Sequence, residues 1–234
     1  YDSLNKIAHI TNDNFTLRLS EASSGFQSTV PIYLVMKYLT ESLGKANDPA
    51  VKPQSIEEQR KLAREIQRII NDPAISEEVR QESLRQLSAR YKPACLINIV
   101  EEPEQNLFPG SQRILLNSLL EFTNNNEGNK LIITTHSPYL INFLSIAIQG
   151  SVLYESIKES KEVTVLTKKL EDVIPVRALL KAKDVIIYQM DERSGTIAKL
   201  TDYEGIPSDS NFLNQQIHQS NVLFDTLLEI EEEI

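Results

Sequence analysis

The 234-residue sequence is short of glycine, with seven, at positions 25, 44, 110, 128, 150, 195 and 205. No two of them frame a G-x-x-x-x-G-K-[ST] phosphate loop: Gly44-Lys45 is followed by Ala46, and Leu39 stands where the first glycine belongs. A single cysteine, Cys95, excludes a disulfide framework, and three scattered histidines, His9, His136 and His218, exclude a Cys/His zinc cluster. Basic charge is also scarce: 24 Lys+Arg face 33 Asp+Glu, a net charge of −9, which argues against a generic phosphate-binding surface. Long apolar runs are missing as well. Residues 139–148 are interrupted by Asn142 and Ser145, whereas a membrane span needs about twenty apolar residues. No signal peptide is visible, so a soluble chain in a reducing cytoplasm, without membrane contact, is expected. With 41% hydrophobic and 24% charged residues, the composition is that of a globular chain able to bury a core.

What is present is ordered along the chain. Residues 15–19 alternate like a short strand and lead into a small-residue turn, 20–25. Val30, Leu34, Val35, Tyr38 and Leu39 then recur at helical spacing, and 44–53 read as a loop. Ser55 with Glu58 reads as a capping box opening a helix striped by Leu62, Ala63, Ile66, Ile69 and Ile70. A second charged helix follows over 76–91, with Val79, Leu84 and Leu87 inward; together 45–92 read as a helical hairpin inserted in a larger domain. Its basic residues (Arg60, Lys61, Arg64, Arg68, Arg80, Arg85, Arg90) alternate with Glu, the pattern of a solvated face rather than a nucleic-acid groove.

From Cys95 the texture changes. Residues 95–100 and 131–135 are short apolar runs of the kind buried on both faces of a sheet. Between them lies a helix from Pro109 with Leu115, Leu116, Leu119 and Phe122 inward, and another helix follows over 137–148. Strand, helix, strand, helix implies an α/β parallel sheet. Shorter strands are expected at 152–154, 163–167, 185–189 and 196–200, extending or flanking it, and an acidic amphipathic helix over 211–234.

Both strands end in polar groups: Glu101-Glu102 after the first, His136 after the second. Ligands of open α/β sheets bind outside the carboxyl ends of strands. Carboxylates there can hold a divalent cation and orient water, and a histidine can donate to a phosphate oxygen.

These residues carry a resemblance. The stretch LINIVEEPEQNLFP at 96–109 resembles the Walker B strand, catalytic glutamate and D-loop of ABC-type ATPases. It is closest to the branch of the overcoming-lysogenization-defect, RecF-like and Septu-type antiviral ATPases. IITTHSP at 132–138 is similar to that branch's switch-histidine strand, and ASSGFQ at 22–27 to its signature loop. The resemblance implies a P-loop NTPase core with the 45–92 insertion and a C-terminal β/α extension, the whole chain being the C-terminal part of an ATPase domain. It implies that Glu102 polarises the hydrolytic water, that His136 contacts the γ-phosphate, and that Glu101 takes the acidic position near Mg2+. Ser23, Ser24 and Gly25 would reach ATP held by a second protomer, and Gln105, Asn106 and Leu107 would cross between protomers. Glu for the usual Asp at 101, and Ala22 and Phe26 around the signature glycine, depart from the pattern.

The expected partners are a second copy, engaged through the signature and D-loops, and a nuclease or other effector. Nucleic acid stays open as a further partner, without support from the net charge. With no phosphate loop in the chain and Tyr1 an unnatural start, an upstream lobe is expected to supply one, and the chain alone is not expected to hydrolyse ATP. Two other readings stay open: a non-hydrolysing interaction module, and a metal-dependent nuclease using Glu101, Glu102 and Glu104.

Overall fold

The computed structural model describes residues 7–46, 56–73, 75–91, 95–191 and 194–233. A short antiparallel ribbon, β1 (His9–Thr11) and β2 (Thr16–Arg18), leads through a 3-10 turn into α1 (Ser24–Ala46). Helices α2 (Ile56–Asn71) and α3 (Glu77–Tyr91) pack on each other, as the hairpin pattern requires. Of the capping box, Ser55 lies outside the described residues. Helix α1 runs through Gly44 to Ala46, so the loop expected from Gly44 begins later. Along it, Leu34, Val35 and Tyr38 are exposed while Met36, Thr40 and Leu43 are buried. In α3 Leu87 is buried, but Val79, expected inward, is exposed.

The centre is β3 (Ile97–Glu101), α4 (Pro109–Asn124), β4 (Lys130–Thr134) and α5 (Pro138–Lys158). Strands β3 and β4 are parallel neighbours, with Ile99 opposite Ile132 and Glu101 opposite Thr134. This is the strand–helix–strand–helix unit anticipated from the apolar runs. Proline at the first position of α4 and of α5 suits a helix start, where its missing N–H has no partner to lose.

Two core clusters hold the unit. Leu116, Leu120, Leu140, Ala147, Ile157, Leu170, Ile174 and Ala178 join α4 and α5 to α6 (Val163–Glu171) and the turn after it. Met36, Leu115 and Leu119 join α1 to α4, and Leu131 and Ile133 of β4 pack against both clusters. Burying a leucine as fully as Leu119 contributes about 1.5–3 kcal/mol.

Three expectations are corrected here. The strands are covered on one face only: Ile97, Ile99 and Ile132 are 62%, 68% and 48% exposed, because among the described residues α4 and α5 pack on the opposite side. Residues 152–154 belong to α5, and 163–167 to α6, both expected as strands. Their β-branched and aromatic residues favour strands locally, but packing against the α4–α5 core overrides that preference. Helix α5 therefore spans 21 residues, long and apolar enough to cross a membrane by length and composition. Leu140, Ile141, Ala147, Ile148, Gly150 and Ile157 are nonetheless buried in the core.

The C-terminal part carries two small antiparallel pairs, β5 (Tyr188–Met190) with β6 (Ile197–Lys199), and β7 (Asp202–Tyr203) with β8 (Ile206–Pro207). They stand apart from the β3–β4 sheet and do not extend it. The last helix, α7 (Phe212–Glu232), is capped by Asn211, whose side chain accepts from the Asn214 amide at 3.0 Å. Its amphipathic pattern is real, but none of its residues is buried.

Candidate active site

The candidate site lies at the carboxyl tips of β3 and β4. The ladder continues one residue past β3: the Glu102 amide donates to the Thr134 carbonyl at 2.9 Å. There the chain turns sharply, with Glu102 in the left-handed region at φ 43°. That conformation is costly for a glutamate, about 1–3 kcal/mol, and Pro103 adds to it, since a residue before proline is steered to extended backbone. The surroundings over-determine it. The Glu102 carbonyl accepts from the Gln105 amide at 3.1 Å, and its carboxylate accepts from Gln105 Nε2 at 2.7 Å. The other carboxylate oxygen faces His136 Nε2 at 3.3 Å.

His136 is more open than Glu102, its side chain 81% exposed against 37%. Its position derives from its backbone: the His136 amide donates to Glu104 Oε1 at 2.7 Å. Thr135 Oγ1 donates to the same oxygen at 2.8 Å and accepts from the Ser137 amide at 2.9 Å. Ser137 Oγ donates to Gln112 Oε1 at 2.6 Å, with both residues buried, and Gln112 Nε2 donates to the Leu107 carbonyl at 3.0 Å. The Leu107 amide donates to the Glu104 carbonyl at 3.0 Å, closing a ring of hydrogen bonds between the loops after β3 and β4.

Of the residues singled out in the sequence, Glu102 and His136 are brought together, with Gln105 alongside. Glu101 ends β3 opposite Thr134 and is exposed, two residues on from exposed Ile99. Asn106 is left-handed at φ 60°, a conformation asparagine tolerates. The 22–27 loop lies against this turn: a Cβ on Gly25 would stand 2.7 Å from the Asn106 carbonyl oxygen. Ser23 and Ser24 are exposed at the start of α1, and Gln27 Nε2 closes the loop by donating to the Ala22 carbonyl at 2.7 Å.

The three acidic residues of the nuclease reading do not assemble. Glu104 turns to the Thr135 hydroxyl and the His136 amide, and Glu102 to His136 Nε2; among the described residues no group of three His, Cys, Asp or Glu is placed to hold a metal ion.

A family model for the AAA ATPase domain matches residues 2–141, more than half of the chain. The chain belongs to that family. Membership in the AAA ATPase domain family implies a P-loop NTPase fold and carries ATP binding and hydrolysis as its general chemistry, with ATP and Mg2+. The matched span takes in the 22–27 loop, β3, the 102–108 turn, β4 and His136. No curated protein and no solved structure matches the chain.

Sequence reasoning placed Glu104 only in the nuclease reading and gave no role to Thr135, Gln112 or Ser137. Of these, only Gln112 left a signal, as a polar residue one turn before Leu115 and Leu116 on the apolar stripe of α4.

Proposed function

We propose that this chain is the hydrolytic and partner-facing part of an ABC-type ATPase of the overcoming-lysogenization-defect, RecF-like and Septu-type branch. On this reading it works as a dimer in DNA maintenance or antiviral defence. The observation that carries the reading is the Glu102–His136 pair at 3.3 Å on adjacent strand tips, with Glu102 held in a strained backbone. Strain retained at a strand tip is a mark of a working site.

In this assignment Glu102 accepts a proton from the attacking water, and Gln105 steadies its second oxygen. His136, largely open to solvent, is free to donate to the γ-phosphate as charge develops there. Magnesium is usually held by one or two carboxylates together with substrate phosphates, and the exposed Glu101 carboxylate suits such a donor set. The ion would neutralise charge on the transferred phosphoryl group. Ser23, Ser24 and Gly25, at the start of a 23-residue helix, would offer N–H and hydroxyl donors to nucleotide on a second copy. Gln105 and Asn106 would cross beside them.

None of the seven glycines builds a phosphate loop, so the cradle for the α- and β-phosphates comes from outside these 234 residues. The chain alone is then inactive. In the protein that includes that loop, Glu102→Gln is expected to lower phosphate release by about 10²–10⁴-fold, the usual contribution of a general base. Unchanged release sinks the assignment. The missing loop also favours a second reading, a non-hydrolysing dimerisation module; it requires that Mg-ATP fail to bind even with the loop restored, which calorimetry decides.

A further inference from the structure

We propose that Glu104 is a positioning residue that sets His136 and transmits displacement of the 105–107 turn to it. The inference rests on the ATPase reading for its consequence in turnover and for the second copy that would press on the turn.

His136 has little packing to hold it, with its side chain 81% exposed. Apart from the contact to Glu102, its place is set by its main chain, and that main chain is tied to Glu104. One carboxylate oxygen accepts from two consecutive residues of the neighbouring strand tip, Thr135 Oγ1 at 2.8 Å and the His136 amide at 2.7 Å. Hydrogen bonds to an ionised acceptor are shorter and stronger than neutral ones. The other oxygen, Glu104 Oε2, is buried and has no hydrogen-bond partner among the described residues. A buried carboxylate oxygen left unpaired is destabilising, so stability alone is a poor account of a glutamate here.

The connections of Glu104 run both ways. Through Thr135, Ser137, Gln112 and Leu107 the hydrogen-bond ring returns to its own carbonyl, so the two loops shift together. The turn it anchors is the exposed part, Gln105 and Asn106, and the Asn106 carbonyl lies against Gly25 of the α1 start. A second copy pressing on 105–106 would therefore move Glu104, and with it the amide that carries His136.

The test reads amide hydrogen exchange at His136 in the 234-residue chain. In Glu104→Ala it is expected to quicken by about tenfold or more, the loss anticipated for a bond to a charged acceptor, while amides of α4 and α5 keep their protection. Glu104→Gln keeps a carbonyl acceptor and is expected to restore protection to within about threefold. Unchanged His136 exchange in Glu104→Ala, or Glu104→Gln as fast as Glu104→Ala, overturns the proposal. Should Glu104→Ala not fold, Thr135→Val removes one donor from the same oxygen, and an unaltered environment at His136 then counts against the link. A second arm measures ATP turnover in the protein that includes a phosphate loop. Glu104→Ala is expected to lower kcat by about tenfold with KM within about threefold, as for an interaction felt in the transition state. An unchanged kcat there overturns the positioning role; a wild type without turnover removes the ATPase reading and leaves the exchange result to judge the link.

Discussion

Gly25, at the start of α1, lies so close to Asn106 that a Cβ added to it would stand 2.7 Å from the Asn106 carbonyl oxygen and 3.1 Å from Leu107 Cδ2. The obstructing atom is backbone, so it cannot swing aside as a long side chain would. The glycine of the 22–27 loop is therefore held in place by the turn after β3, within a single chain.

Replacing Gly25 by alanine is expected to destabilise the chain by about 1–3 kcal/mol, the usual cost of overpacking, although alanine is otherwise the better helix former. Gly110, in the first turn of α4, faces open space: a methyl group added there would meet nothing within 4 Å. Gly110→Ala is expected to be neutral or to stabilise by about 0.4–1 kcal/mol. Urea unfolding of the two variants checks both signs.

The buried Ser137–Gln112 hydrogen bond, 2.6 Å long, joins α4 to the loop after β4. Removing either partner leaves the other unsatisfied, so Ser137→Ala and Gln112→Ala should each cost about 1–3 kcal/mol. The double variant should cost less than the sum, with a coupling of about 0.5–3 kcal/mol from the denaturant midpoints. Strict additivity contradicts the contact.

One-sided cover of the β3–β4 sheet makes its two faces unequal. Leu119, fully buried, is expected to lose about 2–5 kcal/mol on truncation to alanine. Ile99, 68% exposed, is expected to lose no more than about 1 kcal/mol, the span of strand propensity. Equal losses would mean that the outer face is covered in solution.

Glu155 and Lys158 form an exposed pair at 2.8 Å near the end of α5, with the ammonium also 4.8 Å from the Tyr154 ring centre. The Lys158 hydrogen bond holds the Glu155 carboxyl below its ordinary range, and the Glu155 hydrogen bond holds the Lys158 ammonium above its own. A depressed acid contributes above its unfolded pKa and loses that contribution as pH falls through the folded one. A raised base contributes below its unfolded pKa and loses it as pH rises through the folded one. The pair therefore acts only in the window between. In Lys158→Met the Glu155 carboxyl is expected to titrate at higher pH than in the wild type by NMR, the difference shrinking in high salt.

How much was written in the sequence varies along the chain. The β3–α4–β4–α5 unit was legible because its apolar runs, proline helix starts and intervening turn all point the same way. Residues 152–154 and 163–167 misled because short apolar runs do not distinguish strand from buried helix, and only packing against Leu116, Leu120 and Leu140 decides. Glu102 and His136 could be placed at neighbouring strand tips from order and spacing alone. Their separation could not, nor the role of Glu104, whose partners lie 31 and 32 residues away.

The sequence by itself determined that a parallel strand pair would end in carboxylates and a histidine, and that no G-x-x-x-x-G-K-[ST] pattern occurs among these residues, because both follow from residue types in fixed order. Only the tertiary structure decided which face of that sheet is covered, which carboxylate meets His136, and that Gly25 touches Asn106. Those are facts of distance, set by how helices pack and how a strained turn points its side chains.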